Sequence, residues 1–574
     1  MFLHEIGTHQ EVKMKPFLSC LFLAILVQQA AAVRPAEEPR RCVIHLNKPF
    51  YVSGEAVWYK IYFPISFKGR NIAARVGVWD QNGQMLSAVF HKTHGQSFVQ
   101  GYYQIPFDLK PAVYHLVVSG TDQASKVPVV LAEALIPIFN DLQDDTPTVS
   151  EQAGEREAGK QEPAHLPGNS LKVSIELSSD AVHRREKVEA RIRIQDEKGR
   201  PAPAGLSISV RDYSLTDNPL PEQKNIVKGK VLEPDIELSL DSMISIRGNI
   251  SDSLGRALNL EVLGLYSSKE QVLSYLKSNA DGRFFFSFPD FYGRKPIQFI
   301  DYQYNDIKVD ILSEVELKEK GALSYTPEVL AYLNASRQRK KIFQLFNGFE
   351  YALVQEPPAF DVHPLDPDDI YLIQNYERFE SFPRFFTEVT TALKFKEEGP
   401  GHFVAKMFNS ESGNRGFYSG KPLFILDGKL TWDANFIAGL DIAQVEEVGL
   451  FNSRKKLRQR FSALGLHGGV ATIKTSRPGP IVPPSDEEDI FLIDGLQPQA
   501  DFPGQPPMGE AIAPHSPFLQ PQLYWNPDLR TDGRGELVLD FIQSDDVSIF
   551  CIEIVAQGQD GAWGYGRVFY RVYP

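Results

Sequence analysis

The stretch Cys42-Val-Ile-His-Leu-Asn-Lys-Pro-Phe-Tyr-Val-Ser-Gly-Glu-Ala-Val-Trp-Tyr-Lys-Ile-Tyr-Phe63 decides the fold class of this chain. Aromatic and β-branched residues recur in it with period two, a pattern typical of half-buried strands. Ser53-Gly54 is a turn signal between two such runs. Val57, Tyr59 and Ile61 share one face of the second run, since successive side chains of a strand point to opposite faces. The stretch therefore predicts two short strands of a β-sandwich.

Similar runs separated by turn signals recur along the chain and predict a mainly β fold of tandem sandwiches. Between Tyr325 and Tyr351 the apolar period becomes helical, which predicts a short helical hairpin or connector beginning near Pro327. Two segments contain few large apolar residues and are predicted to be linkers. We predict a signal peptide at 14–32, a sandwich at 33–142, a linker at 143–168, a second sandwich at 169–240, a third at 241–320, a helical connector at 321–360, a small α+β unit at 361–477, a Pro-rich acidic linker at 478–520 and further strands at 521–574. Whether those last strands complete an earlier sandwich stays open.

The beginning of the sequence has the three parts of a secretory signal peptide. Lys13-Met14-Lys15 is positively charged, Phe17 to Val27 is apolar, and Ala30-Ala31-Ala32 offers a small-residue cleavage site. The apolar run is shorter than the ~20 residues that a membrane-spanning helix needs. We therefore expect translation to start at Met14 and the protein to be exported to the periplasm or the outer membrane.

The bulk composition limits the kinds of partner. The formal net charge is −13, which argues against nucleic acid because phosphate neutralisation needs a basic surface. Only Cys42 and Cys551 follow the predicted leader, so a disulfide scaffold is excluded, while pairing between these two stays open.

Three motifs resemble known families. Asn47 to Lys60 resembles the opening of a macroglobulin domain, an Ig-like β-sandwich. Ile246 to Gly255, with Asp281 to Phe284, resembles a carboxypeptidase-regulatory-like sandwich. Pro422 to Gly428, followed by Ile442 to Val448 and Gly468 to Thr475, resembles the plug domain of TonB-dependent outer-membrane transporters. The motif residues of this plug-like unit are Pro422, Asp427, Gly428, Gly468 and Gly469.

The order of these resemblances is typical of envelope proteins of Bacteroidota. Two departures limit what they imply. Fewer than 100 residues follow the plug-like unit, too few for the β-barrel of a transporter. The Cys-Gly-Glu-Gln sequence of thioester macroglobulins is absent, so covalent trapping of proteases is not implied.

The sequence contains no convincing catalytic or metal-binding pattern. His91 and His94 are three residues apart in a predicted strand or loop, where that spacing puts them on opposite faces. Gly416 to Lys421 is too short for a phosphate loop, and it is followed by Pro422 rather than Ser or Thr. The acidic runs 366–369 and 486–489 lack the alternation and central glycine of an EF-hand loop. We predict no enzyme activity, no cofactor, no metal and no small-molecule substrate.

The strongest local anomaly is basic: Arg454-Lys-Lys-Leu-Arg-Gln-Arg460 holds five cations in an acidic protein. It fits a solvated helix face, or a contact with lipid phosphates or an acidic partner. The candidate contact residues are Arg454, Lys455, Lys456, Arg458 and Arg460. We predict an adaptor whose plug-like unit docks on or occludes an outer-membrane barrel, or contacts another envelope protein, with peripheral membrane association. The alternative is a periplasmic macroglobulin-like protein that binds peptides or proteases without a thioester.

Overall fold

The computed structural model describes most of the chain after residue 40. The described residues are 41–142, 166, 169–179, 181–217, 224–232, 239–259, 261–301, 307–313, 315–317, 321–346, 353–354, 365–411, 415–461, 467–477, 490–505 and 515–574. The predicted signal peptide and nearly all of the linker 143–168 lie outside them. No helix within these ranges is long and apolar enough to cross a membrane.

The first half of the chain is built from strands, with two helices. Its elements are β1 (Arg41–Leu46), β2 (Tyr51–Val52), β3 (Ala56–Tyr62), β4 (Ala73–Trp79), β5 (Met85–Lys92), β6 (Phe98–Gln104), β7 (Ala112–Thr121), β8 (Pro128–Phe139), β9 (Asn169–Leu177), β10 (Ala181–His183), β11 (Lys187–Gln195), β12 (Ala204–Asp212), α1 (Tyr213–Thr216), β13 (Ile226–Val231), β14 (Ile244–Asp252), β15 (Val262–Ser267), β16 (Val272–Lys277), β17 (Arg283–Phe288), β18 (Arg294–Asp301), β19 (Ile307–Ile311), α2 (Pro327–Phe346) and β20 (Leu353–Val354).

The second half adds three short helices. Its elements are β21 (Asp369–Leu372), α3 (Phe382–Glu388), β22 (Leu393–Gly399), β23 (His402–Asn409), β24 (Gly416–Phe417), β25 (Leu423–Leu426), β26 (Lys429–Thr431), α4 (Ala434–Ala438), β27 (Val445–Phe451), α5 (Arg454–Arg460), β28 (Val470–Thr475), β29 (Ile490–Asp494), β30 (Ala500–Asp501), β31 (Gln522–Arg530), β32 (Glu536–Ile542), β33 (Ile549–Gly558) and β34 (Trp563–Tyr573). The predicted mainly β class is confirmed.

The first sandwich consists of the sheets β13-β1-β3-β6 and β2-β8-β7-β4-β5. Val57, Tyr59 and Ile61 of β3 all lie in its core, as their period-two spacing predicts. Strand β13 comes from the segment predicted to belong to the second sandwich, yet it pairs with β1. The strand pairing therefore crosses that predicted domain boundary.

The second sandwich answers the question that the sequence left open. All eight strands of this unit belong to one continuous sheet rather than to two separate ones: its order is β31-β12-β33-β34-β9-β11-β32, and β10 also pairs with β34. The pairing of β12 with β33 extends from Ala204↔Gly558 to Asp212↔Phe550. Strands from both regions contribute to one core. The C-terminal strands therefore complete the second sandwich.

The third sandwich consists of the sheets β17-β14-β19 and β16-β15-β18-β29. Strand β29 lies inside the predicted linker 478–520, and its Ile493 is buried in the core of this sandwich. This part of the segment departs from the linker prediction. The strand could not be seen from composition because five apolar and acidic residues are too short a run among the surrounding prolines.

Residues 365–477 form a unit with mixed α and β structure. The five-stranded sheet β21-β27-β28-β25-β26 and the smaller sheet β22-β23-β24 enclose one core together with α3, α4 and α5. Residues 321–346 hold one long helix, α2, which begins at Pro327 as predicted. Its Val329 and Tyr332 pack against Phe50 and Phe139 of the first sandwich.

Five tight turns of the sandwiches share one conformation, in which an Asp or Asn is followed three residues later by glycine. The side-chain oxygen of the first residue accepts hydrogen bonds of 2.8–3.0 Å from the backbone N–H groups two and four residues later. The glycine has φ between +72° and +81°, the conformation that closes a three-residue hairpin loop. The five turns begin at Asp80, Asp196, Asp252, Asn279 and Asp532.

Candidate functional site

The basic run 454–460 forms the helix α5 on the surface of the 365–477 unit. Leu457 is fully buried in the core and fixes one face of the helix. Arg454, Lys455 and Arg458 are exposed on the rest of it. Lys456 and Arg460 are half-buried, and the Lys456 ammonium lies 3.0 Å from Asp366 Oδ2. The structure therefore divides the five predicted cations into three exposed ones and two that are partly covered.

The acidic run 366–369 holds the start of this helix in place. Asp368 accepts hydrogen bonds of 2.8 Å from the backbone N–H groups of Asn452 and Ser453, and one of 2.7 Å from Ser453 Oγ. Asp369 accepts a hydrogen bond of 2.9 Å from Asn452 Nδ2. Backbone and side-chain donors thus use the carboxylates that sequence analysis had considered as cation ligands.

An aromatic side chain stands near the helix. The Tyr418 hydroxyl donates a 2.9 Å hydrogen bond to the carbonyl of Asn452, just before α5, which places the end of β24 beside the helix. The preceding residue, Phe417, is 53% exposed, and its ring packs against Phe408 on the other side of the strand. We call Arg454, Lys455 and Arg458 the basic surface.

The predicted plug-like motif residues lie together at the parallel pair β25 and β28. Asp427 and Gly428, with φ of +46° and +84°, form the two-residue turn between β25 and β26. The Asp427 carboxylate accepts hydrogen bonds from the backbone and hydroxyl of Thr475 at 2.9 and 2.5 Å. It therefore joins the turn to the end of β28.

The other motif residues allow two chain segments to pass closely. Pro422 is buried at the start of β25. A Cβ on Gly468 would lie 1.7 Å from the carbonyl oxygen of Lys421, and Gly469 has φ of +79°. These glycines are needed by the backbone, so the motif marks how the unit folds rather than a ligand-binding set.

The two histidines considered as metal ligands have different environments. The His91 ring lies 2.8 Å from the Tyr59 hydroxyl, and burial lowers the pKa of His91 to about 4. His94 lies in the turn after β5, is exposed and has φ of +46°. Within the described ranges, no three His, Cys, Asp or Glu residues are grouped so that they could hold a metal ion. Cys42 and Cys551 do not form a disulfide with each other.

Sequence analysis missed a buried charge network between the first and second sandwiches. Arg211 donates two hydrogen bonds to Asp217, at 2.7 and 2.8 Å, and one of 2.8 Å to Glu553. Glu553 also accepts hydrogen bonds from Asn225 at 2.5 Å and Tyr565 at 2.7 Å. Burial alone would raise the pKa of Glu553, but the Arg211 charge holds it well below its usual range.

Ser207, His45 and Glu553 are arranged in the way that a nucleophile, a base and an acid are arranged in a catalytic triad. The Ser207 hydroxyl is 2.6 Å from His45 Nδ1, and His45 Nε2 is 3.7 Å from Glu553 Oε2. Ser207 and His45 are fully buried, and Glu553 is 2% exposed. In this conformation no substrate carbonyl can reach Ser207, so the three residues act here as contacts between the two sandwiches.

A cleft of about 740 Å³ opens beside this interface. Its walls are the end of β5 and most of β6 on one side and the middle of β31 on the other. Residues 496–502 close a third side. Its size falls within the range of ligand-binding pockets.

Comparisons with known proteins give distant likenesses only. No family model and no curated protein matches the chain. Similar solved structures include alpha-2-macroglobulin of Escherichia coli in its native conformation, with 9% identity and a TM-score of 0.23 over 94% of this chain and 40% of that one. The trypsin-activated Escherichia coli protein shows 8% identity and 0.23, over 94% of this chain and 42% of that one. The Salmonella protein reacted with methylamine shows 9% and 0.23, over 94% and 40%.

The chain thus spans about two fifths of the length of these macroglobulins. A TM-score of 0.23 is too low to support an argument about fold or function. The architecture described above rests on the strand pairing and cores of this chain itself.

Proposed function

We propose that the chain is a non-catalytic binding protein of the bacterial envelope, exported to the periplasm or the outer membrane. Its sandwiches, macroglobulin-like and carboxypeptidase-regulatory-like in motif, carry the plug-like unit, which docks on a β-barrel protein of the outer membrane. The basic surface supports this proposal most directly, because it places three exposed cations together on one short helix of a protein with a net charge of −13.

The arrangement of α5 favours binding over simple solubility. The helix is held at its start by Asp368 and along its inner face by Leu457, so the exposed side chains project from a fixed support. A fixed support lowers the entropy lost on association.

Charge gives the expected partner an acidic character. The chain has a net charge of −13, so most of the molecule repels an acidic partner, whereas the basic surface attracts it. Complementary charge of this kind orients two proteins more than it strengthens their complex. We therefore expect an acidic rim on the barrel protein at the point of contact.

The test compares two triple variants of the full chain. Arg454→Gln, Lys455→Gln and Arg458→Gln together remove the exposed charges of the basic surface. The control changes three exposed cations of the first and second sandwiches: Lys198→Gln, Lys230→Gln and Arg534→Gln. Both variants have the same net charge, so only the position of the loss differs.

The measurement is recovery of a barrel protein from detergent-solubilised membranes with tagged chain. We expect stoichiometric recovery with wild type and with the control. At ~0.5 kcal/mol per exposed ion pair, the basic-surface variant should bind about tenfold more weakly. Equal recovery by both variants would show that the basic surface does not contribute to binding of the barrel protein. Binding to anionic lipid vesicles without recovery of any barrel protein would show that the basic surface binds the membrane and not a protein partner.

A further inference from the structure

The cleft between β6 and β31 presents an unprotected strand edge. Strand β6 is the last strand of its sheet, and the backbone groups of alternate residues in an antiparallel ladder point away from the neighbouring strand. The Gln497 side-chain amide bonds both backbone groups of Tyr102, at 3.1 Å to the N–H and 2.7 Å to the carbonyl. The backbone N–H and carbonyl of Tyr102 therefore point away from β3, and by alternation so do those of Gln100 and Phe98.

The contact of Gln497 shows what this edge can bind. A carboxamide has the same donor and acceptor as a peptide group, and here it occupies one residue position of a missing neighbouring strand. The two outward-facing residues beyond it, Gln100 and Phe98, line the cleft. Within the described part of the chain, the edge is therefore covered at Tyr102 and open at the next two positions.

Two polar atoms in the cleft wall have unused hydrogen-bonding capacity. Gln100 Oε1 and Trp525 Nε1 are buried and have no hydrogen-bond partner among the residues that the structure describes. Trp525 is 3% exposed, and both residues line the cleft. A buried polar group without a partner is unfavourable. Both atoms are covered in this conformation, so a ligand that supplies one acceptor and one donor satisfies them once the two side chains turn toward the cleft.

We propose that this cleft binds an extended peptide, which adds as a strand beside β6. The peptide backbone pairs with Phe98 and Gln100, one of its N–H groups donates to Gln100 Oε1, and one of its carbonyls accepts from Trp525 Nε1. At ~3.4 Å per residue the open edge takes three or four peptide residues. Aromatic walls that include Tyr292 and Tyr524 favour apolar or aromatic peptide side chains.

This site is separate from the basic surface and does not depend on docking to a barrel. It gives a location to peptide binding, the alternative function that the sequence left open. The two proposals therefore fail independently: loss of barrel recovery does not affect peptide binding, and the reverse also holds.

The first experiment selects ligands for the full chain from a displayed library of random seven-residue peptides. We expect enrichment of sequences with apolar or aromatic residues. Binding of the selected peptides should weaken about tenfold in Trp525→Phe, which keeps the ring and removes the N–H, and in Gln100→Ala. The control Gln123→Ala truncates an exposed glutamine of the first sandwich away from the cleft and should leave binding unchanged.

The second experiment uses only the wild-type chain, so misfolding of a variant cannot affect it. Each selected peptide is resynthesised with one backbone nitrogen methylated at a time, which removes a strand hydrogen bond without changing the side chains. Alternate positions should lose binding, because alternate residues of a strand face the edge. Failure to enrich any peptide, uniform tolerance of methylation, or occupation of the cleft by a second copy of the chain would overturn the proposal.

Discussion

Lys60 carries an ammonium group into the interface between the first and second sandwiches. Its side chain is fully buried, with Nζ 3.2 Å from the carbonyl oxygen of Leu206 and over the rings of Tyr62 and Phe98 at 4.4 and 4.1 Å. Within the described residues no carboxylate forms an ion pair with it. Burial, the main cause, lowers the pKa of Lys60 to about 7. The charge is therefore held at a cost to stability.

Replacing Lys60 by Met should stabilise the protein, because the thioether fills similar space without a charge. The unfolded lysine titrates near pH 10.4, so between about pH 7 and 10.4 the unfolded state binds more protons and wild-type stability rises with pH. Below about pH 7 the penalty is complete. We expect Lys60→Met to gain a few kcal/mol at pH 6 and much less at pH 9.5. Urea unfolding at both pH values measures the difference, and an equal gain at both would contradict the pKa argument.

Residues of the charge network show a limit of sequence reasoning at this scale. Ser207 and Ser209 alternate with Leu206 and Ile208, a pattern that predicts one face of β12 in solvent. The structure covers that face with the first sandwich, where Ser207 contacts His45. The sequence of a strand does not show whether its polar face contacts water or the polar face of another sheet.

At the scale of elements, the repeated Asx-Gly turn is the feature that the sequence predicts best. The short patterns beginning at Asp80 and Asp196 predict turns from their Gly and Asx residues alone. Their conformation depends on a local hydrogen bond and on one glycine with positive φ, so it needs no distant contact. The strands between the turns could likewise be recognised by period.

Two glycines of this turn offer a matched pair for mutation. Gly83 and Gly282 have φ of +81° and +74°, but a Cβ on Gly83 meets open space while one on Gly282 lies 2.8 Å from the carbonyl oxygen of Ile250. Gly83→Ala should destabilise by about 1 kcal/mol through backbone conformation alone. Gly282→Ala should cost clearly more, since the backbone must also move. Thermal unfolding of both variants measures this, and equal losses would show that the close contact relaxes without cost.

Pairing between strands could not be predicted in the same way. The run Glu536 to Phe541 reads clearly as a strand, yet its partner β11 lies more than 300 residues away and neither sequence specifies the other. The same limit applies to the functional sites. The cations of α5 can be predicted from the sequence, whereas the cleft forms only when β6, β31 and residues 496–502 come together. No sequence pattern indicates that atoms of Gln100 and Trp525 lack a hydrogen-bond partner among the described residues.

At the scale of the whole molecule, the segments after residue 477 hold the sandwiches together. Strand β29 adds to the third sandwich, and β31 to β34 supply half of the second. Between these parts and their partners lies the 365–477 unit, so the second and third sandwiches are each closed only across this insertion. These two sandwiches therefore depend on distant parts of the chain, whereas all strands of the first sandwich precede the insertion.

Ending the chain after residue 477 should consequently unfold more than the part removed. Strand β12 would lose both of its neighbours, β31 and β33, and the core residues Leu206 and Ile208 would be exposed. We expect fast amide exchange throughout 169–212 and protection retained in β3, β4 and β7. Hydrogen exchange with mass spectrometry on the truncated and full chains measures this. Retained protection in β12 would mean that the second sandwich is stable without its C-terminal half.

The pairing of β34 with β9 also determines when the second sandwich can close during synthesis. Trp563 pairs with Asn169 and Tyr565 with Lys172, so the two strands are synthesised almost 400 residues apart. A ribosome delivers residues in sequence, so β9, β11 and β12 emerge with apolar faces uncovered long before β31 to β34 exist. During that interval these faces are open to association with other chains, and the second sandwich can close only when the last strand has been made.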